Sequence, residues 1–378
     1  MTVSGDDLPT RERWRLVPIP VVTQVLAVIG AVVLAVFLSG CQGLFGGQGP
    51  TASSRSAAPS ASSRAATPST GPTHRVTATV PVGRDPMGVA VDPDTHTVYV
   101  ANLGDNSVSV IDGSTRTVTA TGPVGKSPWW GVAVDPGTHT VYVPNLDGDT
   151  VSVIDASTRT VTATVPVARN PVGVAVDPGT HIVYVPTNDG TVSVIDASTR
   201  TVTATVPVGK GPFGVAVDPD THTVYVANYG DGTVSVIDGS TRTVTATVPV
   251  GKGPHGVAPV GRGPGGVAVD AGTHTVYVTN NGDSVSVIDA STRTVTATLP
   301  VGKSPGGVAV DPGTHTVYVA NYGDNSVSVI DASTRTVTAT VAVGSGPRGV
   351  AVDPGTHTVY VTITSVSGNG TVSAIESR

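Results

Sequence analysis

Seven histidines recur at one position of a repeated pattern: His96, His139, His181, His222, His274, His315 and His357, each directly after a threonine that ends a turn. Imidazole is the usual general base and metal ligand near neutral pH. A catalytic base sits in one copy with distinct company. These seven share the same neighbours, so they read as structural groups bonded to the repeated aspartates, such as Asp92 or Asp112. The repeated Arg116, Arg159, Arg200, Arg242, Arg293 and Arg335 likewise read as turn-face residues beside their aspartates. No serine sits in a nucleophile elbow, and neither a His-Glu-x-x-His string nor a carboxylate pair occurs. The two glutamates are Glu12 and Glu376. Asn145-Leu146-Asp147-Gly148-Asp149 has part of the spacing of a calcium loop without its closing glutamate, and reads as a hairpin turn. One cysteine in 378 residues excludes a disulfide framework and a cysteine-rich metal centre. Neither a metal nor a cofactor is expected from these residues.

The unrepeated side chains are more informative. Past residue 45 the chain has one Met, two Trp and one Phe, and all four fall just before a Gly-Val-Ala-Val-Asp string: Met87, Trp129, Trp130 and Phe213. The matching slots elsewhere hold Val172, Gly265, Gly306 and Arg348. Trp, Phe, Met and Arg are the types that dominate binding hot spots. A ligand or partner site built from Met87, Trp129, Trp130, Phe213 and Arg348 is the expectation. The competing reading is a plug that only covers a channel.

The elements that must position these residues come from the repeat itself. Gly-Val-Ala-Val-Asp begins at Gly88, Gly131, Gly173, Gly214, Gly266, Gly307 and Gly349, at spacings of 43, 42, 41, 52, 41 and 42 residues. The long interval holds a local duplication across 251–265. Each unit carries four short β-branched runs separated by turn residues, which predicts a four-stranded antiparallel meander. Four strands every 42 residues is the period of a propeller blade. Asp135-Pro136-Gly137-Thr138 predicts a type II turn, and Asp155 at the head of a later turn predicts an aspartate that caps its own backbone. The last unit ends after its third strand, while an unassigned strand, 75–80, precedes the first. The sequence therefore predicts an all-β fold, a seven-bladed β-propeller over 74–378 whose last blade is closed by strand 75–80. In such a ring the variable slots surround one mouth of the central channel, together with Lys126, Lys210, Lys252 and Lys303 and the Asn/Asp-rich hairpins. One tyrosine per blade is expected to fill the wider part of each wedge.

Val276-Tyr277-Val278-Thr279-Asn280 spells VYVTN, and VYVAN occurs at 98–102, 224–228 and 317–321. On these strings the chain resembles the YVTN-type β-propeller repeat family of bacterial extracytoplasmic and archaeal surface proteins. The resemblance covers 74–378 and implies a binding role. The chain departs from the motif at Pro144, Pro186 and Ile363, the last replacing the asparagine.

Arg11, Arg13 and Arg15 precede an uncharged stretch from Val17 to Gly40, as in an export signal. Leu38-Ser39-Gly40-Cys41 resembles the bacterial lipobox, which implies cleavage after residue 40 and lipidation of Cys41; an uncleaved transmembrane anchor is the alternative. Residues 41–73 are rich in Gly, Ser, Ala, Pro and Thr and read as a disordered tether with a reach of roughly 30 Å. Charged residues are only 13% of the chain and the net charge is −6, which argues against nucleic acid as a partner. The expectation is a lipid-anchored, extracytoplasmic and monomeric binding module for a protein, glycan or small molecule of the cell envelope. A propeller enzyme resembling lactonases or lyases, and a purely structural surface repeat protein, are the alternatives.

Overall fold

The computed structural model describes residues 73–251, 264–365 and 368–377. Cys41, the expected signal and tether, and Lys252 lie outside the described residues. Strand β1 (His74–Arg84) is followed by a first blade of β2 (Pro86–Asp92), β3 (Thr97–Asn102), β4 (Ser107–Asp112) and β5 (Thr117–Pro123), and this order repeats around the ring. Seven sheets of four antiparallel strands result. The inner strand of each blade touches those of both neighbours, and the seventh touches β2. Apart from three three-residue 3-10 turns, no helix occurs among the described residues, and none there is long and apolar enough to cross a membrane.

The ring closes as the strand count predicts. The seventh blade contains Pro347–Asp353, Thr358–Ile363, Asn369–Ser377 and, outermost, β1. Pairing runs from His74 opposite Ser377 to Arg84 opposite Asn369. Arg116 of blade one donates to the Glu376 carboxylate and to Thr77, stapling this composite blade to its neighbour. The C-terminal glutamate is thus part of the closure.

The core consists of seven layers, one at each junction between blades. In a typical layer Tyr99 of blade one packs with Val141 and Ile154 of blade two. Each sheet is covered on both faces, so its middle strands must be small and apolar on both sides. The repeated tyrosines are almost fully buried, at most 3% exposed. At the channel the blades approach so closely that only glycine fits: a Cβ on Gly214 would lie 2.2 Å from the Gly265 carbonyl oxygen.

The turn at 135–138 differs from expectation. The left-handed residue is His139 (φ 50°), and the six equivalent histidines behave alike. Asp135 accepts from the Gly137 backbone N–H, and the loop closes only at the histidine. Gly137 matters for another reason: its Cβ would meet His181 of the next blade at 3.1 Å, so a larger residue there must push the histidine outward. The later turn agrees with the reading, since the Asp155 carboxylate accepts from the backbone N–H groups of Ser157 and Thr158 and from the Ser157 hydroxyl. The second hairpin of blade seven survives the loss of its asparagine, with Ile363 buried in its place.

One blade carries a packing defect. Blades two to six place Val165, Val206, Val248, Leu299 and Val341 in buried positions on their outer strands, and β1 places Val80 there. Blade one has Gly122, beside a cleft of about 420 Å³ lined by Val108, Val110 and Ile154. A Cβ at Gly122 meets nothing closer than 3.5 Å. Gly122→Val is expected to stabilise the protein by about 1–2 kcal/mol, through buried apolar area and a less flexible unfolded chain. Urea denaturation measures this; an unchanged midpoint would mean that the cleft relaxes without being filled.

Candidate functional site

The variable slots lie at or just before the start of the inner strands, so those strands deliver their side chains to one mouth of the channel. In blades one, four, five, six and seven the inner strand starts at its proline. In blades two and three it is only Ala133–Asp135 and Ala175–Asp177, preceded by isolated bridges at Pro128 and Pro171. Blade two therefore enters the channel in irregular backbone, and this frees Trp130 from the strand register.

Trp130 is the hub of the mouth. It meets Phe213 of blade four edge to face, with ring centroids 5.3 Å apart and an interplanar angle of 61°. Phe213 in turn lies 6.2 Å from Tyr229. The indole reaches across to blade six, where a Cβ on Gly306 would come within 3.1 Å of its Cη2. The Arg348 guanidinium of blade seven lies over both Trp130, at 5.9 Å, and Tyr322, at 4.1 Å. Desolvation pulls the Arg348 pKa down from its ordinary value, against smaller opposing effects of Tyr322 and Asp85. Beneath Trp130 the channel is a cavity of about 140 Å³ walled by Val89 of blade one and a Gly-Val pair from each other blade, such as Gly131-Val132 and Gly349-Val350.

The five expected residues separate into two groups. Trp130, Phe213 and Arg348 converge. Met87 is buried, 7% exposed, and its backbone carbonyl accepts from the Thr362 hydroxyl at 2.8 Å, so its side chain offers little surface to a ligand. Trp129 is half-buried and donates its backbone N–H to the Pro144 carbonyl; among the described residues no ring stacks on it. Tyr229 and Tyr322 were missed. Nine tyrosines against seven repeats is the signal that reveals them, because both follow the Asn of a second hairpin. Tyr322 is 43% exposed, so the mouth has an aromatic face open to solvent.

The repeated histidines lie at the far ends of the inner strands, on the opposite face. Each Nδ1 donates to the inner-strand aspartate of the preceding blade, as His357 does to Asp311 at 2.8 Å and His96 to Asp353 at 2.9 Å across the ring closure. Structural bonding to a repeated aspartate is thus correct. The partner is the Asp92-type residue of the neighbouring blade, and Asp112 serves its own turn. The arginines also reach across blades: Arg200 and Arg293 donate to the carbonyls of Thr162 and Thr245. At two junctions an aspartate, Asp94 or Asp220, replaces the small glycine, and there the His-Asp distance lengthens to 3.3 Å. At the first of these Asp92, Asp94 and His139 bring three possible metal-ligand atoms within 4.8 Å. Asp92 is fully buried there and already accepts from His139 and the Asp94 backbone.

Comparison with known proteins bears on this architecture. The family model described as Cytochrome D1 heme domain matches residues 139–376. Among solved structures, the chain is similar to a hydrazine synthase chain of Kuenenia stuttgartiensis, with a TM-score of 0.67 and 23% identity over 77% of this chain and 96% of that one. At that identity the likeness is one of fold. No curated protein matches the sequence.

Proposed function

We propose, from the fact that this chain belongs to the Cytochrome D1 heme domain family, that its propeller is a binding module whose ligand or partner engages the mouth at Trp129, Trp130, Phe213 and Arg348. The observation that carries this reading is the convergence of one-off residues. Trp130, Phe213 and Arg348 come from blades two, four and seven of an otherwise uniform repeat, and all reach one point. Random drift among near-identical copies scatters such residues over both faces and the rim. Aromatic and arginine side chains clustered in a partly desolvated setting are the usual composition of an interaction hot spot.

The family implies a heme, and the mouth does not fit one. A heme takes an axial ligand such as an imidazole and space for a flat macrocycle. All seven repeat imidazoles are on the opposite face and engaged with aspartates. Trp130 crosses the position that a macrocycle needs, and the cavity below is about 140 Å³, against roughly 300–1,000 Å³ for ordinary small-molecule pockets. The binding reading requires no such group.

The same proposal includes the setting. VYVTN at 276–280 and its variants support a YVTN-type repeat, and the lipobox-like string ending at Cys41 supports a lipid-anchored, extracytoplasmic protein that works as a monomer. Mass spectrometry of the native N-terminus tests the anchor: a diacylglyceryl-modified Cys41 is expected, and an intact residue 1 would refute it.

Replacing Trp129 and Trp130 together by alanine tests the mouth. Retention of an envelope component on the immobilised protein is expected to fall at least tenfold, because a central aromatic anchor carries about 2 kcal/mol or more. Melting should change by only a few degrees, since neither ring is in an inter-blade core. Unchanged retention refutes the binding site, and a large loss of melting temperature with unchanged retention identifies a plug.

A further inference from the structure

Arg348 is half-buried and forms no ion pair among the described residues. Its Nε is sealed from solvent and meets no acceptor. The nearest carboxylate to influence it, Asp85, is not in contact. Other arginines of this protein have been given partners: Arg84 pairs with Asp105 at 2.6 Å, and Arg116 pairs with Glu376. The turn itself does not require a cation, because the same slot holds glycine in blades five and six. Removing a charge from water without a counter-ion is unfavourable, and stacking on Tyr322 and Trp130 offsets only part of that cost. The site is therefore complete as an aromatic cluster and incomplete as an electrostatic one.

We infer that Arg348 anchors a small planar anion, an aromatic carboxylate, whose ring lies against Tyr322 and Trp130. This rests on the mouth being the binding surface and names the class of its ligand. A guanidinium offers parallel N–H donors that match the two oxygens of a carboxylate. Flat aromatic walls select a flat body, and offset or edge-on contacts suit it best. A single guanidinium suits a single negative charge. Because Trp130 lies across the mouth above the channel cavity, the occupant lies on the rim and is smaller than a macrocycle.

Calorimetric titration of the full-length protein with 2-naphthoate and with its neutral amide, 2-naphthamide, tests this. The carboxylate is expected to bind saturably and at least about tenfold more tightly than the amide. Arg348→Gln should lower carboxylate affinity to that of the amide and leave the amide unchanged. Arg348→Lys, which keeps the charge but loses the fork, should fall between. Circular dichroism confirms that each variant is folded. Equal binding of acid and amide, no saturable heat with the acid at millimolar concentration, or full carboxylate affinity in Arg348→Gln would overturn the assignment. If the Trp129/Trp130 double variant still loses its envelope component in that case, the mouth remains a binding site and only the anionic ligand class is lost.

Discussion

Between pH 10 and pH 12 the protein is expected to unfold cooperatively, with tyrosinate absorbance and loss of β circular dichroism rising together. Burial, reinforced by the nearby inner-strand aspartates, pushes Tyr99, Tyr142, Tyr184, Tyr225, Tyr277 and Tyr318 from 10.0 up to about 12, and Tyr360 in the same direction. A phenol whose folded pKa is raised keeps its proton where the unfolded chain has lost it. Its contribution is therefore fully present below pH 10 and disappears as the pH rises through about 12. Two pKa units correspond to about 2–3 kcal/mol per tyrosine. Even half of the sum over the six tyrosines raised to about 12 is comparable to the roughly 5–15 kcal/mol of net stability of a typical domain. The repeat thus multiplies one modest effect into a global transition. Titration of the seven buried repeat tyrosines near pH 10 with the sheets intact, followed in a variant with Tyr229 and Tyr322 replaced by phenylalanine, would contradict the burial described above.

Removing β1 is the second large effect. A chain beginning at Thr73 should melt like the full chain, whereas one beginning at Asp85 should be insoluble or melt far lower. Val80 and Val82 lose their burial, Val372 and Ala374 lose their cover, and the Arg116 contacts to Thr77 are gone. Two valines alone account for about 3–6 kcal/mol, before eight cross-strand pairs are counted. The strand Asn369–Ser377 would also become an exposed edge, a template for aggregation. A synthetic peptide of residues 74–84, added in trans, should restore the shorter chain. A shortened chain that stays monomeric with unchanged melting would show that the ring does not depend on this closure.

Blade number and closure were legible because the repeat is strict: seven Gly-Val-Ala-Val-Asp strings and one strand at the wrong end of the chain admit one arithmetic. The tyrosine layer was legible for the same reason. The turn at 135–138 was misread because proline and glycine are compatible with a type II turn locally. The advantage of glycine comes from the close approach of His181 in another blade, which no local rule contains. The candidate site was half visible. Counting exceptions found Trp130, Phe213 and Arg348, while Tyr229 and Tyr322 were hidden among seven repeat tyrosines of identical type.

What the sequence by itself determined is periodic: strand content, blade count, the small apolar middle strands and the slots where copies differ. A pattern repeated seven times averages out local ambiguity, so each such feature is fixed several times over. What only the tertiary structure decided is everything that crosses from one blade to another. It assigned each histidine to its neighbour's aspartate, drew Trp130 across to Gly306, and buried Met87. It also stacked Arg348 on two rings with no carboxylate paired to it among the described residues. The physical reason is distance along the chain. Trp130 and Arg348 have four blades between them along the chain, and only closure of the ring makes them neighbours.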